Sequence, residues 1–199
     1  MALSYSDISV EIREVLLREK PSQLFEVSPK GTVPVLILPN GIVIEESIDI
    51  MKWAIEESKD LYLYKLEIEL QHKLIVQNDT IFKSWLDRYK YNERYDDYSI
   101  SECQHKCDEI LINYEKLLIE NKYLVDNSIS LCDMAIFPFI RQFCNINKNY
   151  FLSTYPNLNK WLISIIKSDI FNSVMTKYPQ WKGNDNIKII NFKKVFNYA

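Results

Sequence analysis

Apolar residues follow two different rhythms along this chain, and the change falls near residue 60. Upstream they come in short, mostly β-branched runs. Val10 to Leu16, Val35 to Leu38 and Ile42 to Glu45 read as strands, the last two joined through Pro39-Asn40-Gly41. Asn-Gly accepts the positive φ that a tight turn demands, and proline cannot continue a ladder, so a hairpin is predicted there. Met1 to Ser6 reads as the last turns of a helix. Glu46-Ser47 opens another, with Ile48, Met51, Trp53, Ala54 and Ile55 in helical spacing and Ser47 placed as N-cap.

Past the short polar linker Ser58-Lys59-Asp60-Leu61 the repeat lengthens. Leu66, Leu70, Leu74, Ile81 and Trp85 recur near the α-helical period and predict one long helix with a buried side. A second helix is predicted over Ser101 to Glu120. A third begins at Ser130, where Ser130-Leu131-Cys132-Asp133 forms a capping box, and Pro138 inside it removes one backbone bond and predicts a kink. The expected organisation is therefore an α/β domain over 1–57, an all-α domain over 62–182 and an extra tail over 183–199.

Two features of the first half carry candidate chemistry. The Val33-Pro34 bond costs only about 0.5–1 kcal/mol to hold cis, so a sharp bend there is cheap and would leave the main chain of Val33 free to pair with an extended peptide. The start of the helix at Glu46-Ser47 offers free amides that attract a carboxylate.

Composition narrows the field. With 199 residues, 47% apolar and 26% charged, the chain can bury one core or two small ones. A net charge of −3 offers no bulk attraction to nucleic acid. No basic region followed by an apolar run opens the chain, and no stretch approaches the roughly 20 apolar residues that span a bilayer, so a cytoplasmic protein is expected. Cys103, Cys107, Cys132 and Cys144 form no Cys-x-x-Cys pair, which suits a reduced compartment. Cys103-Gln104-His105-Lys106-Cys107 has the spacing of a zinc site. Its two cysteines, however, continue the stripe of Ile110, Leu111, Tyr114, Leu117 and Leu118 while His105 points elsewhere, so core packing is expected and no metal. His72, among alternating charges, reads as a solvated surface group.

Bent Val33-Pro34, hairpin, and Glu46-Ser47 at a helix start together resemble the glutathione-binding half of the glutathione S-transferase family. The resemblance extends through Asp87 to Tyr91, Ser130 to Phe143, Tyr155 to Leu158 and Lys177 to Trp181, and is bacterial in flavour. It implies a thioredoxin-like N-terminal domain followed by an all-helical domain. It also implies glutathione as cosubstrate: Val33 and Pro34 meet its cysteinyl unit, and Glu46 and Ser47 hold the γ-glutamyl end. Leu17 to Pro21 looks like the omega-type pattern, whose lysine before proline reaches the glycyl carboxylate, which adds Lys20; the alternative is a solvated lysine before a helix. A second, apolar electrophile or a disulfide would meet Phe82, Trp85, Tyr89 and Tyr91, although Phe82 and Trp85 read equally as core. A homodimer acting in detoxification is implied by the same analogy.

Family members begin with a strand and a helix whose first turn carries the Cys, Ser or Tyr that activates the sulfur, and the resemblance implies that this segment is missing here. The absent strand would lie between Val10 to Leu16 and the Val35 strand, leaving unpaired backbone at about 1–3 kcal/mol for each buried orphan group. Ile187 to Phe192 in the tail could be a strand that covers this edge; a loosely docked tail is the plainer account. Two functions follow from the resemblance. One is an enzyme that transfers glutathione to electrophiles or exchanges it with disulfides, and the other is a non-catalytic module of the same fold that docks a protein partner.

Overall fold

A computed structural model describes residues 1–58, 62–65, 67–183 and 188–192. In chain order its elements begin with α1 (Ala2–Tyr5), β1 (Val10–Glu11), α2 (Ser22–Val27), β2 (Leu36–Ile37), β3 (Val43–Ile44) and α3 (Ser47–Ser58). Helices α4 (Tyr62–Lys65) and α5 (Ile68–Gln77), a π-helical turn (Asn78–Phe82), α6 (Lys83–Lys90), a 3-10 turn (Asn92–Arg94), α7 (Ile100–Glu120) and α8 (Leu131–Ile146) follow. The chain continues with α9 (Lys148–Thr154), α10 (Pro156–Ile166), α11 (Asp169–Ser173) and β4 (Ile189–Ile190). Two compact units result, one of Met1–Leu61 with Asp169–Ala199 and the other of Tyr62–Ser168.

In the first unit, α1 packs on α3 and on α11, and the Ser4 and Ser173 hydroxyls meet at 2.6 Å. This contact explains why the segment from Asp169 folds with the N-terminal part of the chain. The hairpin forms with Leu36 opposite Ile44 and Ile37 opposite Val43. Its turn uses only one left-handed residue, Gly41 at φ +86°, whereas Asn40 keeps negative φ and accepts the Ile42 N–H on Oδ1 at 3.1 Å. The three-residue loop Pro39 to Gly41 is closed by Gly41 N–H donating to Leu38 C=O at 2.9 Å, so the positive φ moves wholly onto the glycine. The strand predicted over Val10 to Leu16 contracts to two paired residues. Beyond them the main chain is held by single bonds, Ile12 N–H to Lys188 C=O at 3.0 Å and Trp181 N–H to Glu14 C=O at 2.9 Å. The tail thus supplies a strand, β4, antiparallel to β1 with Val10 opposite Ile190. Ile187, at the start of the predicted segment, lies outside the described residues.

The second unit is helical and built around a buried aromatic core that includes Tyr114, Phe137, Phe143, Phe151, Tyr155 and Trp161. The helix that begins at Ile68 runs unbroken to Lys90 but does not keep one period. Its π turn inserts an extra residue, and the buried stripe slips from the predicted Ile81 and Trp85 to Phe82, Leu86 and Tyr89. Ile81 is 46% exposed while Phe82 is fully buried. Helix α7 starts one residue earlier than predicted because Ser99 and Glu102 form a capping box ahead of it. Cys103 and Cys107 lie on its buried face with Ile110, Leu111 and Tyr114, while His105 and His72 are exposed. Helix α8 continues through Pro138.

Asp133 organises this unit. The capping box with Ser130 forms, and the buried carboxylate also accepts Leu124 N–H at 2.9 Å and the indole N–H of Trp161 at 2.8 Å. Burial pushes its pKa up, opposed by these donors. Glu115 on α7 caps α10 from outside by accepting the N–H groups of Asn157 and Leu158 at 2.9 and 2.7 Å.

Candidate functional site

The predicted peptide-gripping residues sit on a loop and a helix start within the first unit. The loop is shaped by Gly31, at φ +59° with the Phe25 ring occupying the place where a Cβ would stand, so no other residue fits without moving the ring. Two residues later the Val33-Pro34 bond is cis, and Val33 is 42% exposed. At the far end of the hairpin, Ser28 Oγ donates to Glu45 at 2.6 Å and Lys30 Nζ lies 3.4 Å from Glu46. These two contacts tie the loop that leads into Val33 to the segment that opens α3.

At that opening the expected N-cap is displaced by one position. Glu46, not Ser47, is the residue whose carbonyl accepts the first bonds, from Asp49 N–H at 3.1 Å and Ile50 N–H at 3.0 Å. Ser47 is the first helical residue. A serine side chain caps best from just outside the helix, whereas here the helix closes on the preceding carbonyl and leaves the hydroxyl exposed. Among the described residues no protein acceptor takes the amide hydrogens of Ser47 and Ile48. The tip of the 12-residue α3 therefore presents two free donors, a hydroxyl and the Glu46 carboxylate to solvent. Such a set suits a zwitterionic group, with the amides facing its carboxylate and Glu46 its ammonium.

Lys30 is a neighbour that the sequence alone did not mark. It heads the same segment, but only the folded loop brings its ammonium to Glu46. Lys20 stands exposed just before Pro21, the residue preceding α2, and makes none of the contacts that join Lys30, Glu45 and Glu46.

The aromatic candidates of the second unit do not form one wall. Phe82 is core, 6.2 Å ring to ring from Phe143. Tyr89 is buried beside Phe143 at 5.5 Å and its hydroxyl donates to Gln104 at 3.1 Å. Trp85 is half-buried, edge-on to Tyr98 at 4.9 Å with the Arg88 guanidinium over its ring. Tyr91 lies under the Arg94 guanidinium and the Lys90 ammonium at 4.3 and 4.8 Å. Arg88 is itself engaged, 3.4 Å from Asp97 and 2.8 Å from Ser84 Oγ.

Sulfur chemistry within the chain is muted. All four cysteines lie in the helical unit and are free, and burial raises the pKa of each thiol. For Cys132 the neighbouring Asp133 carboxylate adds to that shift. Among the described residues no cluster of three or more His, Cys, Asp or Glu side chains could hold a metal ion, and no helix is long and apolar enough to cross a membrane.

Residues 1–57 match the sequence model described as glutathione S-transferase, N-terminal domain, and residues 77–169 the one described as glutathione S-transferase, C-terminal domain. Solved structures of similar fold include the glutathione transferase of Phanerochaete chrysosporium in complex with oxidized glutathione, 16% identical, covering 86% of this chain and 85% of that one at a TM-score of 0.73. Another, from Methylobacillus flagellatus with glutathione bound, is 20% identical over 86% of this chain and 89% of its own at 0.72. A third, the class Gtt2 enzyme of Vibrio parahaemolyticus, is 23% identical over 74% and 75% at 0.63.

Proposed function

The chain belongs to the glutathione S-transferase family, with a thioredoxin-like first unit and a helical second one, and from that premise we propose that the first unit binds glutathione. The observation that carries the reading is the tip of α3, where the Ser47 and Ile48 amides have no acceptor among the described residues and the exposed Glu46 carboxylate stands beside them, paired with Lys30 at 3.4 Å. The γ-glutamyl end of glutathione carries an ammonium and a carboxylate on one carbon, and this tip supplies a partner for each. The main chain of Val33, a part-exposed residue ahead of Pro34, pairs with the cysteinyl unit in the manner of an added strand. Lys20 takes the glycyl carboxylate in this reading, and Lys30 must yield Glu46 to the incoming ammonium.

Bound in this way, the glutathione sulfur acts as a thiolate. It displaces a leaving group from an apolar electrophile, forming a carbon–sulfur bond as the leaving group departs with its electron pair, or it attacks a mixed disulfide and expels the other sulfur as thiolate. Trp85, Tyr89 and Tyr91 are the residues of the second unit we assign to an apolar cosubstrate; Trp85 and Tyr91 are half-buried and Tyr89 is buried. A cytoplasmic homodimer with a detoxifying role belongs to the same reading, and sedimentation of the purified chain tests the dimer.

Retention on glutathione-agarose tests binding apart from catalysis. Ser47→Ala and Glu46→Ala should each weaken retention about tenfold, the cost of one charge-assisted hydrogen bond. Retention equal to the parent in both variants removes the assignment. Turnover with a generic electrophile tests the chemistry separately. The alternative within the same fold is a non-catalytic module that docks a protein partner. Retention without turnover decides for it.

A further inference from the structure

Glu46 already has a partner before any ligand arrives: the Lys30 ammonium stands 3.4 Å from its carboxylate, and both side chains are exposed. The main chain that carries Lys30 is fixed. Ser28 N–H donates to Leu24 C=O and Gly31 N–H to Ser28 C=O, each at 2.8 Å, and the hydroxyl of the fully buried Ser28 reaches Glu45 at 2.6 Å. Gly31 follows in the left-handed region at φ +59°. Lys30 thus rides on a turn tied on one side to α2 and on the other to the segment that opens α3, and its flexible aliphatic stem is the part left to move. Among the described residues it has no ion-pair partner other than Glu46.

At 3.4 Å the Lys30 contact is long, and a ligand ammonium held by a direct charge-assisted hydrogen bond displaces it. The lysine's loss still subtracts from the ligand's gain. Binding at this end therefore depends on where the displaced charge goes, and two anions are candidates: the Glu45 carboxylate, already occupied by the Ser28 hydroxyl, and the carboxylate of the ligand itself. A ligand whose ammonium and carboxylate share one carbon offers the second anion in the same step by which it displaces the lysine. We propose that Lys30 is a specificity-determining residue of this site, which neutralises Glu46 in the free protein and turns to the α-carboxylate of the γ-glutamyl unit when the ligand's ammonium takes its place, so that one ion pair becomes two. The inference rests on the reading that the α3 tip holds that unit, and it narrows the ligand class to peptides with a free amino-acid head. An amine without the carboxylate displaces Lys30 and offers it nothing, while a carboxylate without the amine leaves Lys30 on Glu46.

The test is titration calorimetry on the full chain, with glutathione and with its decarboxylated analogue 4-aminobutyryl-cysteinyl-glycine, for the parent, Lys30→Met and Lys30→Arg. Lys30 is exposed, so neither substitution threatens the fold. Lys30→Met should weaken glutathione about three- to fivefold, the worth of one exposed ion pair, and should bind the analogue at least as tightly as the parent does. Lys30→Arg, which keeps the charge, should bind glutathione within about twofold of the parent. Glutathione bound equally by the parent and Lys30→Met would overturn this proposal alone, and so would tighter binding by Lys30→Met, which would make the lysine a competitor and nothing more. Equal weakening of both ligands would overturn it in favour of a role in holding the loop. A parent that binds neither ligand would overturn the α3 reading along with it.

Discussion

Gly31 and Asp133 mark the two residues on which local structure depends most. At Gly31 a side chain must adopt a left-handed backbone and meet the Phe25 ring, so Gly31→Ala should cost roughly 1–2 kcal/mol from the backbone alone. Because Phe25 is itself 46% exposed, its ring can swing aside, and the double variant with Phe25→Ala should lose no more than the single one. Urea melts of both check this. Asp133→Ala strands the N–H groups of Leu124 and Ser130 and the Trp161 indole in a dry interior, and should cost roughly 3–5 kcal/mol. A loss below about 1 kcal/mol in the same melt would mean that water replaces the carboxylate. The two positions differ in how openly the sequence declares them. Ser130-x-x-Asp133 is a local pattern whose bonding follows from spacing, but the reach of Asp133 to Leu124 and Trp161 depends on chain segments that meet only after folding.

Among the elements, the tail strand and the first long helix depart furthest from their local patterns. The tail strand is held by alternating bonds, so two neighbouring substitutions should behave differently. Ile190→Pro removes a donor that faces Val10 and should speed amide exchange of Ile12 at least tenfold, whereas Ile189→Pro removes one that faces away and should leave it slow. Equal effects would place the register one residue off. The helix from Ile68 to Lys90 carries a pattern that reads as helical throughout, and it is helical, yet the residues it buries cannot be counted from the period. The Asn78–Phe82 π turn adds a residue to the repeat, and no local sequence signal distinguishes that turn from ordinary α-helix. The hairpin was the most legible element, since Pro39-Asn40-Gly41 between β-branched runs has few other solutions, though the fold placed the positive φ on Gly41 alone.

At the scale of the molecule, buried thiols and phenols set a limit on alkaline stability. Cys107 and Cys132 are fully buried with pKa values raised above their ordinary 9.0, and Tyr114 and Tyr155 are buried with values raised above 10.0, burial being the largest cause for each. The unfolded chain then releases these protons first. The stability they contribute is complete below the unfolded values and is lost as pH climbs, beginning near 9 for the thiols and near 10 for the phenols. Each group adds up to about 1.4 kcal/mol of loss per pH unit above its unfolded pKa. Melting temperatures between pH 8 and 11 should fall with a slope that steepens past 10, and Cys107→Ser with Cys132→Ser should flatten the first part. A level profile would show that these groups reach water in the native state.

The sequence by itself determined the two-part plan, an α/β portion followed by helices, because hydrophobic period and turn chemistry are written locally. It also determined which residues would form the α3 tip and the bend at Val33-Pro34, since helix starts and X-Pro bonds depend on a few adjacent residues. That the chain from Asp169 returns to the first unit and that Lys30 reaches Glu46 emerge only in the folded molecule. These depend on contacts between residues far apart in the chain, whose free energy comes from burial and pairing that no local window contains.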